Sequence, residues 1–477
     1  MTQFILPDIL LLVFPFVLIF LHQILPGKKA LPFYASVGFF ALLLVLLNLL
    51  LVGGTQTYLS NWKIDSFGIL MREVLVVGTL LALLFAKDYF DHSADGKERL
   101  REFPEFAAAL AAATFGGFTV LSANELLTLF LGLELATLPM YALTAWNKSD
   151  PQGSEAGTKY ILMGSVASAF ELFGISYLYG FSGSLRFDVI ANAVSANPLD
   201  PLLWIAVLFL FCGIGFKLTL FPFHTWAPDV YEGAPTPVTA VLAVTSKTVA
   251  IAFLAVLVYG PLAGMHERLI PFISLLAGVT ILAGNLGALK QTRLRRFMAY
   301  SSISQAGYIL VALAGSENFG LTARTAILFY LLLYAFSNYL AFFVFGIIGE
   351  RRRETFDSLA GLSRESPTLA VALAVSAFSL AGIPPLAGFM GKFFLFESAA
   401  TSHAYFLVAF ACLNNVIALY YYLQLVKSAW VIPSDPNALP LRVNARQKVC
   451  VIALTVCVLL AGVCPFVSTN ISKLLAL

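Results

Sequence analysis

The sequence predicts an all-α polytopic membrane protein of about fourteen transmembrane helices. Three observations carry this expectation. The 477-residue chain is 59% hydrophobic and only 12% charged, about half the charge of a soluble domain. Apolar runs of about 20 residues, the length a helix needs to cross a bilayer, recur from end to end. Lysine and arginine collect in alternate loops, as they do when one side of a membrane is cytoplasmic.

The predicted spans are 5–22, 31–53, 66–86, 104–121, 124–145, 158–180, 201–222, 236–259, 268–289, 295–314, 322–348, 367–399, 405–430 and 447–468. Turn and charge signals separate them: Pro26-Gly27-Lys28-Lys29, Asp150-Pro151-Gln152-Gly153 and Asn197-Pro198-Leu199-Asp200-Pro201. The stretch 367–399 is too long for one straight crossing and contains Ala381-Gly382-Ile383-Pro384-Pro385, so a broken helix is expected there. Loops after odd-numbered spans hold most of the 29 Lys and Arg residues, including Lys87, Lys97, Arg99, Arg101, Arg351, Arg352 and Arg353. Both termini are therefore expected on the non-cytoplasmic side of a cell inner (plasma) membrane. The net charge of +3 is this topology signal, not a nucleic-acid surface.

Other function classes find no support. The five cysteines, Cys212, Cys412, Cys450, Cys457 and Cys464, lie inside spans with no CxxC pair and read as packing residues. No nucleotide-binding glycine loop, zinc motif or nucleophile elbow is present. No cofactor is expected in this chain.

The informative residues are those that should not be at mid-membrane. Glu134 falls in the fifth span, Lys217 late in the seventh, Lys247 in the eighth, and Lys392 after the Pro-Pro break of the twelfth. Each costs roughly 2.5–3.5 kcal/mol on insertion scales, so they must be paired or hydrated. A file of ionisable groups beside broken helices reads as a proton or ion path. Lysine suits it because desolvation makes its proton easier to release. The other reading, buried ion pairs that only lock helix packing, explains an isolated residue better than a series.

Pro222 interrupts the seventh span close to Lys217, and His224 follows seven residues after that lysine. His224 can relay protons near neutral pH. The seventh and twelfth spans share one pattern: apolar helix, proline break, nearby lysine. They are an odd number of spans apart, so spans 4–8 and 9–13 read as inverted repeats with discontinuous helices at matching places. The expected organisation of the single membrane domain is flanking helices in 1–101, a first repeat in 102–260, a second in 261–430 and a C-terminal helix in 431–477. Lys159, at the start of the sixth span, could approach Glu134. Glu125 reads as a cap or entrance residue, Arg72 and Glu73 as packing or interface residues, and Glu171 has no partner deducible from the sequence.

Four stretches are familiar. Phe130 to Leu135, Lys217 to Pro235, Tyr300 to Tyr308 and Ala381 to Phe389 resemble the antiporter-like membrane subunits of respiratory complex I, nearest the N-type (subunit 2) branch of the bacterial enzymes. The resemblance covers nearly the whole chain. Lys392 stands where the M-type branch carries Glu, and the chain ends shortly after the fourteenth span, without the long lateral helix of the L-type branch.

The resemblance implies a proton-translocating membrane-arm subunit of an NADH:quinone oxidoreductase. Glu134 would be the carboxylate of a first half-channel, Lys159 its partner lysine and Lys217 the pumping lysine. His224 and Lys247 would form the central connection, and Lys392 the second half-channel. NADH, FMN, iron–sulfur clusters and quinone would be held by partner subunits. The partners would be neighbouring antiporter-like and small hydrophobic membrane subunits within the lipid bilayer, with no nucleic acid. Subunits of multisubunit sodium/proton antiporters, or of related ferredoxin- or hydrogenase-linked complexes, share the core and are the alternative. A stand-alone secondary transporter and a passive scaffold are the remaining classes.

Overall fold

The computed structural model describes residues 2–25, 30–51, 56–58, 62–91, 102–314, 320–434, 439–463 and 466–476. The turn at Pro26–Lys29, the basic residues Lys97, Arg99 and Arg101, and Cys464 lie outside them.

The chain runs α1 (Thr2–Ile24), α2 (Leu31–Leu50), β1 (Gln56–Tyr58), β2 (Trp62–Ile64), α3 (Ser66–Asp91), α4 (Phe103–Ser122), α5 (Leu126–Thr144), α6 (Pro151–Ser182), α7 (Phe187–Ala196), α8 (Pro201–Lys217), α9 (Trp226–Gly233), α10 (Thr236–Ala243) and α11 (Thr245–Tyr259). It continues through α12 (His266–Ala288), α13 (Leu294–Ala314), α14 (Leu321–Gly349), α15 (Leu362–Glu365), α16 (Pro367–Ala381), α17 (Ala387–Thr401), α18 (Tyr405–Trp430), α19 (Ala445–Val463) and α20 (Phe466–Ala476). Among the described residues, 12 helical stretches are long and apolar enough to cross a membrane. The two other expected spans consist of shorter apolar pieces, α8 and α16, each followed by an interruption. Among the described residues, the strands are those of a two-stranded antiparallel hairpin, β1 with β2, between α2 and α3.

Local chemistry explains many boundaries. Proline occupies the first turn of α2, α4, α6, α8, α10 and α16, where its missing N–H costs nothing. The Asp150 and Asp200 carboxylates accept from the backbone N–H groups of Gln152 and Leu202, at 3.0 and 2.8 Å, and so cap α6 and α8. Gly382 closes α16 in the left-handed conformation, φ +83°.

α13, α14 and the α10–α11 stretch are enclosed on nearly all sides, whereas α1, α2, α6, α18 and α19 expose broad apolar faces. Polar side chains buried on the enclosed helices must therefore find partners inside the protein. α4 and α5 pack closely because neither has a side chain at the crossing. A Cβ on Gly116 would stand 2.2 Å from the Ala136 nitrogen, and one on Gly132 would stand 2.7 Å from the Val120 nitrogen. We expect Gly116→Leu to force the pair apart and cost about 1–3 kcal/mol or more. This is checked by the thermal midpoint of the chain in native membranes, and an unchanged midpoint would remove the close crossing. Because α5 carries Glu134, the same crossing sets the depth of that carboxylate.

Several boundaries depart from the expected spans: α3 runs on to Asp91 and α6 begins at Pro151. The helix of 201–222 ends at Lys217, not at Pro222. The stretch 236–259 is two helices, interrupted at Val244 (φ −113°, ψ −70°). The last span closes at Val463, and a separate short helix, α20, follows.

Candidate functional site

α8 stops in the interior of the protein, and Lys217 is its last residue. Its amine donates to the Glu134 carboxylate at 3.0 Å, to the Thr137 hydroxyl at 3.1 Å and to the Tyr141 hydroxyl at 3.4 Å. All three acceptors come from α5, at positions 134, 137 and 141, which share one helix face. The same Glu134 oxygen accepts from Ser168 of α6 at 2.6 Å. The Lys217 side chain is 2% exposed and that of Glu134 17%, so the ion pair is desolvated and held by three helices.

The backbone released by the end of α8 is accounted for. The Trp226 indole N–H donates to the Phe216 carbonyl at 3.1 Å, and the Phe221 N–H donates to the Thr280 hydroxyl at 3.1 Å. Trp226 also stacks on Tyr160 and Phe216, with ring centroids 4.5 and 4.8 Å apart. Thr219 adopts φ +59°, an unusual conformation for a β-branched residue. Strain of this kind persists only where its surroundings enforce it. Here it accompanies a role for the hydroxyl, which accepts from the Lys247 amine at 2.9 Å.

Lys247 lies in the first turn of α11, just past the interruption at Val244. Besides Thr219 it donates to the backbone carbonyl of Ser302 on α13. A cavity of about 20 Å³ lies between Lys217 and this turn, lined by Thr137, Tyr160, Thr245 and Ser246 among others. That is room for about one water molecule.

From Ser302 the polar groups continue along α13. Tyr334 donates to the Ser302 hydroxyl at 3.0 Å. The Ser301 and Tyr422 hydroxyls are 2.5 Å apart. The Gln305 amide donates to Tyr422 at 3.4 Å and to the Leu380 carbonyl at 3.2 Å, and its oxygen accepts from Tyr330. The Leu380 carbonyl, at the end of α16, also accepts from Lys392 at 2.8 Å. Lys392 further donates to Asn415 at 2.6 Å and lies 4.6 Å from the centre of the Tyr308 ring. Helix C-termini leave carbonyls unpaired and carry partial negative charge, so the broken end of α16 takes the place of a carboxylate for Lys392. Of the three buried lysines, Lys217 is the one that meets a carboxylate among the described residues.

Two expected site residues sit elsewhere. Lys159 pairs with Glu155 at 2.7 Å and Asp229 at 2.8 Å, not with Glu134, and its side chain is 42% exposed. It lines a polar cleft of about 220 Å³ with Gln152, Glu232, Arg293 and Arg296. Burial works to raise the titration of Asp229, but bonds from Lys159 and Arg296 outweigh it and hold that carboxyl below its ordinary range. The reason for the new pairing is α9, a short helix invisible to span counting, which places Asp229 one side chain away from Lys159. His224 would share a face with Lys217 if the helix continued. With α8 ended, His224 lies half-buried with its ring beside Phe221 at 5.6 Å, apart from the groups that bond Lys217 and Lys247. Groups that sequence reasoning did not select, Thr137, Tyr141, Ser168, Ser302, Gln305, Tyr422 and Asn415, supply most of the contacts. The one available signal was the polar run Ser301, Ser302, Ser304 and Gln305 inside an apolar span.

Another buried pair lies outside this line. Arg72 of α3 meets Asp8 of α1 through two bonds of 3.1 Å and also donates to Ser122.

Buried lysines beside two interrupted helices, with hydroxyls and free carbonyls around them, are the pattern of an antiporter-like class of membrane subunit. A family model described as NADH:quinone oxidoreductase/Mrp antiporter, transmembrane, matches residues 123–418, more than half of the chain. The chain belongs to this family. It is 37% identical over 413 residues to NADH-quinone oxidoreductase subunit N of Moorella thermoacetica, covering 86% of this chain and 85% of that one. It is 39% identical over 415 residues to subunit N of Heliobacterium modesticaldum, with coverage of 86% and 85%. A chain of respiratory complex I from Thermus thermophilus superposes with a TM-score of 0.79 at 32% identity, covering 96% of this chain and 97% of that one. A chain of the Mrp complex from a Dietzia species shares the fold, with a TM-score of 0.83 at 23% identity and coverage of 99% and 97%.

Proposed function

We propose that the chain is a proton-translocating membrane-arm subunit of an NADH:quinone oxidoreductase, working beside other membrane subunits in one complex. The observation that carries this is the Glu134–Lys217 pair at the end of α8, followed by side chains and carbonyls that reach Lys392 at the end of α16. The matching interruptions after α8 and α16 support two inverted repeats, residues 102–260 and 261–430, flanked by 1–101 and 431–477.

The electrostatics supply a mechanism. At about 4 Å and an effective dielectric of about 20, one unit charge acts on another with about 4 kcal/mol. While Glu134 stays against Lys217, the amine keeps its proton. When Glu134 moves away, the amine loses that support and releases the proton toward Thr219 and Lys247. The Ser302–Gln305 segment and Lys392 pass it onward. Lys159 and Asp229 form the charged mouth facing the cytoplasm, and His224 lines the break without a place in the relay. Redox chemistry occurs in partner subunits, which hold NADH, FMN, the iron–sulfur clusters and quinone. The chain lies in the cell inner membrane with both termini on the non-cytoplasmic side, as the Lys/Arg distribution indicates.

The test uses inverted membrane vesicles from the native host, with and without the gene for this chain. NADH oxidation should acidify vesicles carrying it, and a protonophore but not a sodium ionophore should abolish the signal. NADH-driven acidification that persists in vesicles lacking the chain would overturn the proposal. A signal that requires sodium would point instead to the sodium/proton antiporters.

A further inference from the structure

Glu171 lies in the middle of α6. It is 0% exposed, and neither carboxyl oxygen has a hydrogen-bond partner among the described residues. Its surroundings are specific. Three residues earlier, on the same side of α6, Ser168 donates to Glu134. Across the contact between α6 and α8 stands Gly213, where a Cβ would come within 2.7 Å of the Glu171 Cβ. Gly213 is one turn before Lys217. The charged groups within electrostatic reach of Glu171 are Lys217 and Glu134.

An unpaired carboxylate cannot be held in such a place, because nothing offsets the loss of its hydration. Glu171 is therefore the protonated acid in this arrangement, and Glu134, which holds Lys217, is the carboxylate. Two carboxyls, one protonated and one ionised, thus act on one lysine. We infer that Glu134 and Glu171 share a single carboxylic proton, whose position decides which of the two holds the Lys217 ammonium. The inference rests on the reading of Glu134 and Lys217 given above and deepens it.

The exchange balances. The O–H bond of Glu171 breaks and an O–H bond forms on Glu134. The cluster holds one ammonium, one carboxylate and one acid both before and after. With Glu134 neutral, the Lys217 ammonium leaves it for Glu171, one turn further along α6. Lys217 ends α8, so its side chain can follow the charge without dragging a continuous helix. The release of Lys217 from Glu134 thus avoids the separation of unlike charges in a desolvated interior that simply pulling the pair apart would demand.

The experiment compares Glu171→Gln, Glu171→Asp and Lys217→Met in the assembled complex. Glutamine keeps the shape of the neutral acid but carries no transferable proton. Glu171→Gln should leave the chain in the complex at native level and lower proton pumping by about tenfold or more. Glu171→Asp should restore part of it. Infrared difference spectra of the wild-type complex, resting against turning over with NADH, should show a buried carboxylic C=O band that shifts during turnover and is missing in Glu171→Gln. Full pumping by Glu171→Gln, or a wild-type spectrum in which no protonated carboxyl changes, overturns the inference, and the second result does not depend on any variant folding. Full pumping by Lys217→Met overturns the reading of the whole site. Loss of pumping in Lys217→Met beside full pumping in Glu171→Gln overturns this inference alone.

Discussion

Replacing Lys217 with methionine in the assembled complex is expected to abolish proton pumping and to lower coupled quinone reduction by at least about tenfold, with the chain still assembled. Methionine keeps the unbranched apolar stem and removes only the ammonium. Glu134 then retains a single donor, Ser168. The informative companion is Lys217→Arg. Arginine carries the same positive charge toward Glu134 but does not give up a proton in proteins. It should assemble and still fail to pump. Pumping driven by NADH in reconstituted vesicles measures both. Wild-type pumping by the arginine variant would reduce Lys217 to a structural ion-pair partner, and wild-type pumping by the methionine variant would remove it from the mechanism.

The second large effect concerns assembly. Asp8→Ala leaves the Arg72 guanidinium buried among α1, α3 and α4 with the Ser122 hydroxyl and the Phe118 carbonyl but no anion. Breaking such a pair by removing one partner costs roughly 3–5 kcal/mol. That is a large part of a domain's net stability, so the variant should be depleted from the membrane and from the complex. Exchanging both partners together, Asp8→Leu with Arg72→Met, should recover much of the loss, because no charge is then left unpaired. Immunodetection of the chain in isolated membranes reads both. Native amounts of Asp8→Ala with an unchanged thermal midpoint would show that the pair contributes nothing to anchoring α1.

Residue types and spacing made most spans legible, because a helix in lipid must be long, apolar and internally hydrogen-bonded. Two interruptions were legible too, since Pro222 and Gly382-Ile383-Pro384-Pro385 remove backbone donors that a continuing helix needs. The interruption at Val244 was not: no proline or glycine marks it, and both α10 and α11 pack against α3 and α5 on either side of it. The buried lysines stood out through their cost, but their partners did not. Lys217 with Glu134 joins residues 83 apart, and Lys247 with Ser302 joins residues 55 apart. Spacing along one helix carries no information about such pairs. Lys159 shows the limit most clearly. Its pairing with Asp229 depends on how a short helix folds back after α8, a matter of three-dimensional packing alone.

The bond from Lys247 to the Ser302 carbonyl acts as a rivet between α11 and α13. Parting α11 from α13 there would leave a buried ammonium short of an acceptor, at about 1.5–3 kcal/mol, which resists the hinging of a rocking carrier. The scaffold is stiff and its passengers are light. On the reading proposed above, conduction falls to rotating hydroxyls and swinging amine tips, and a mechanical push from a neighbouring subunit need only displace a side chain at one end of the row.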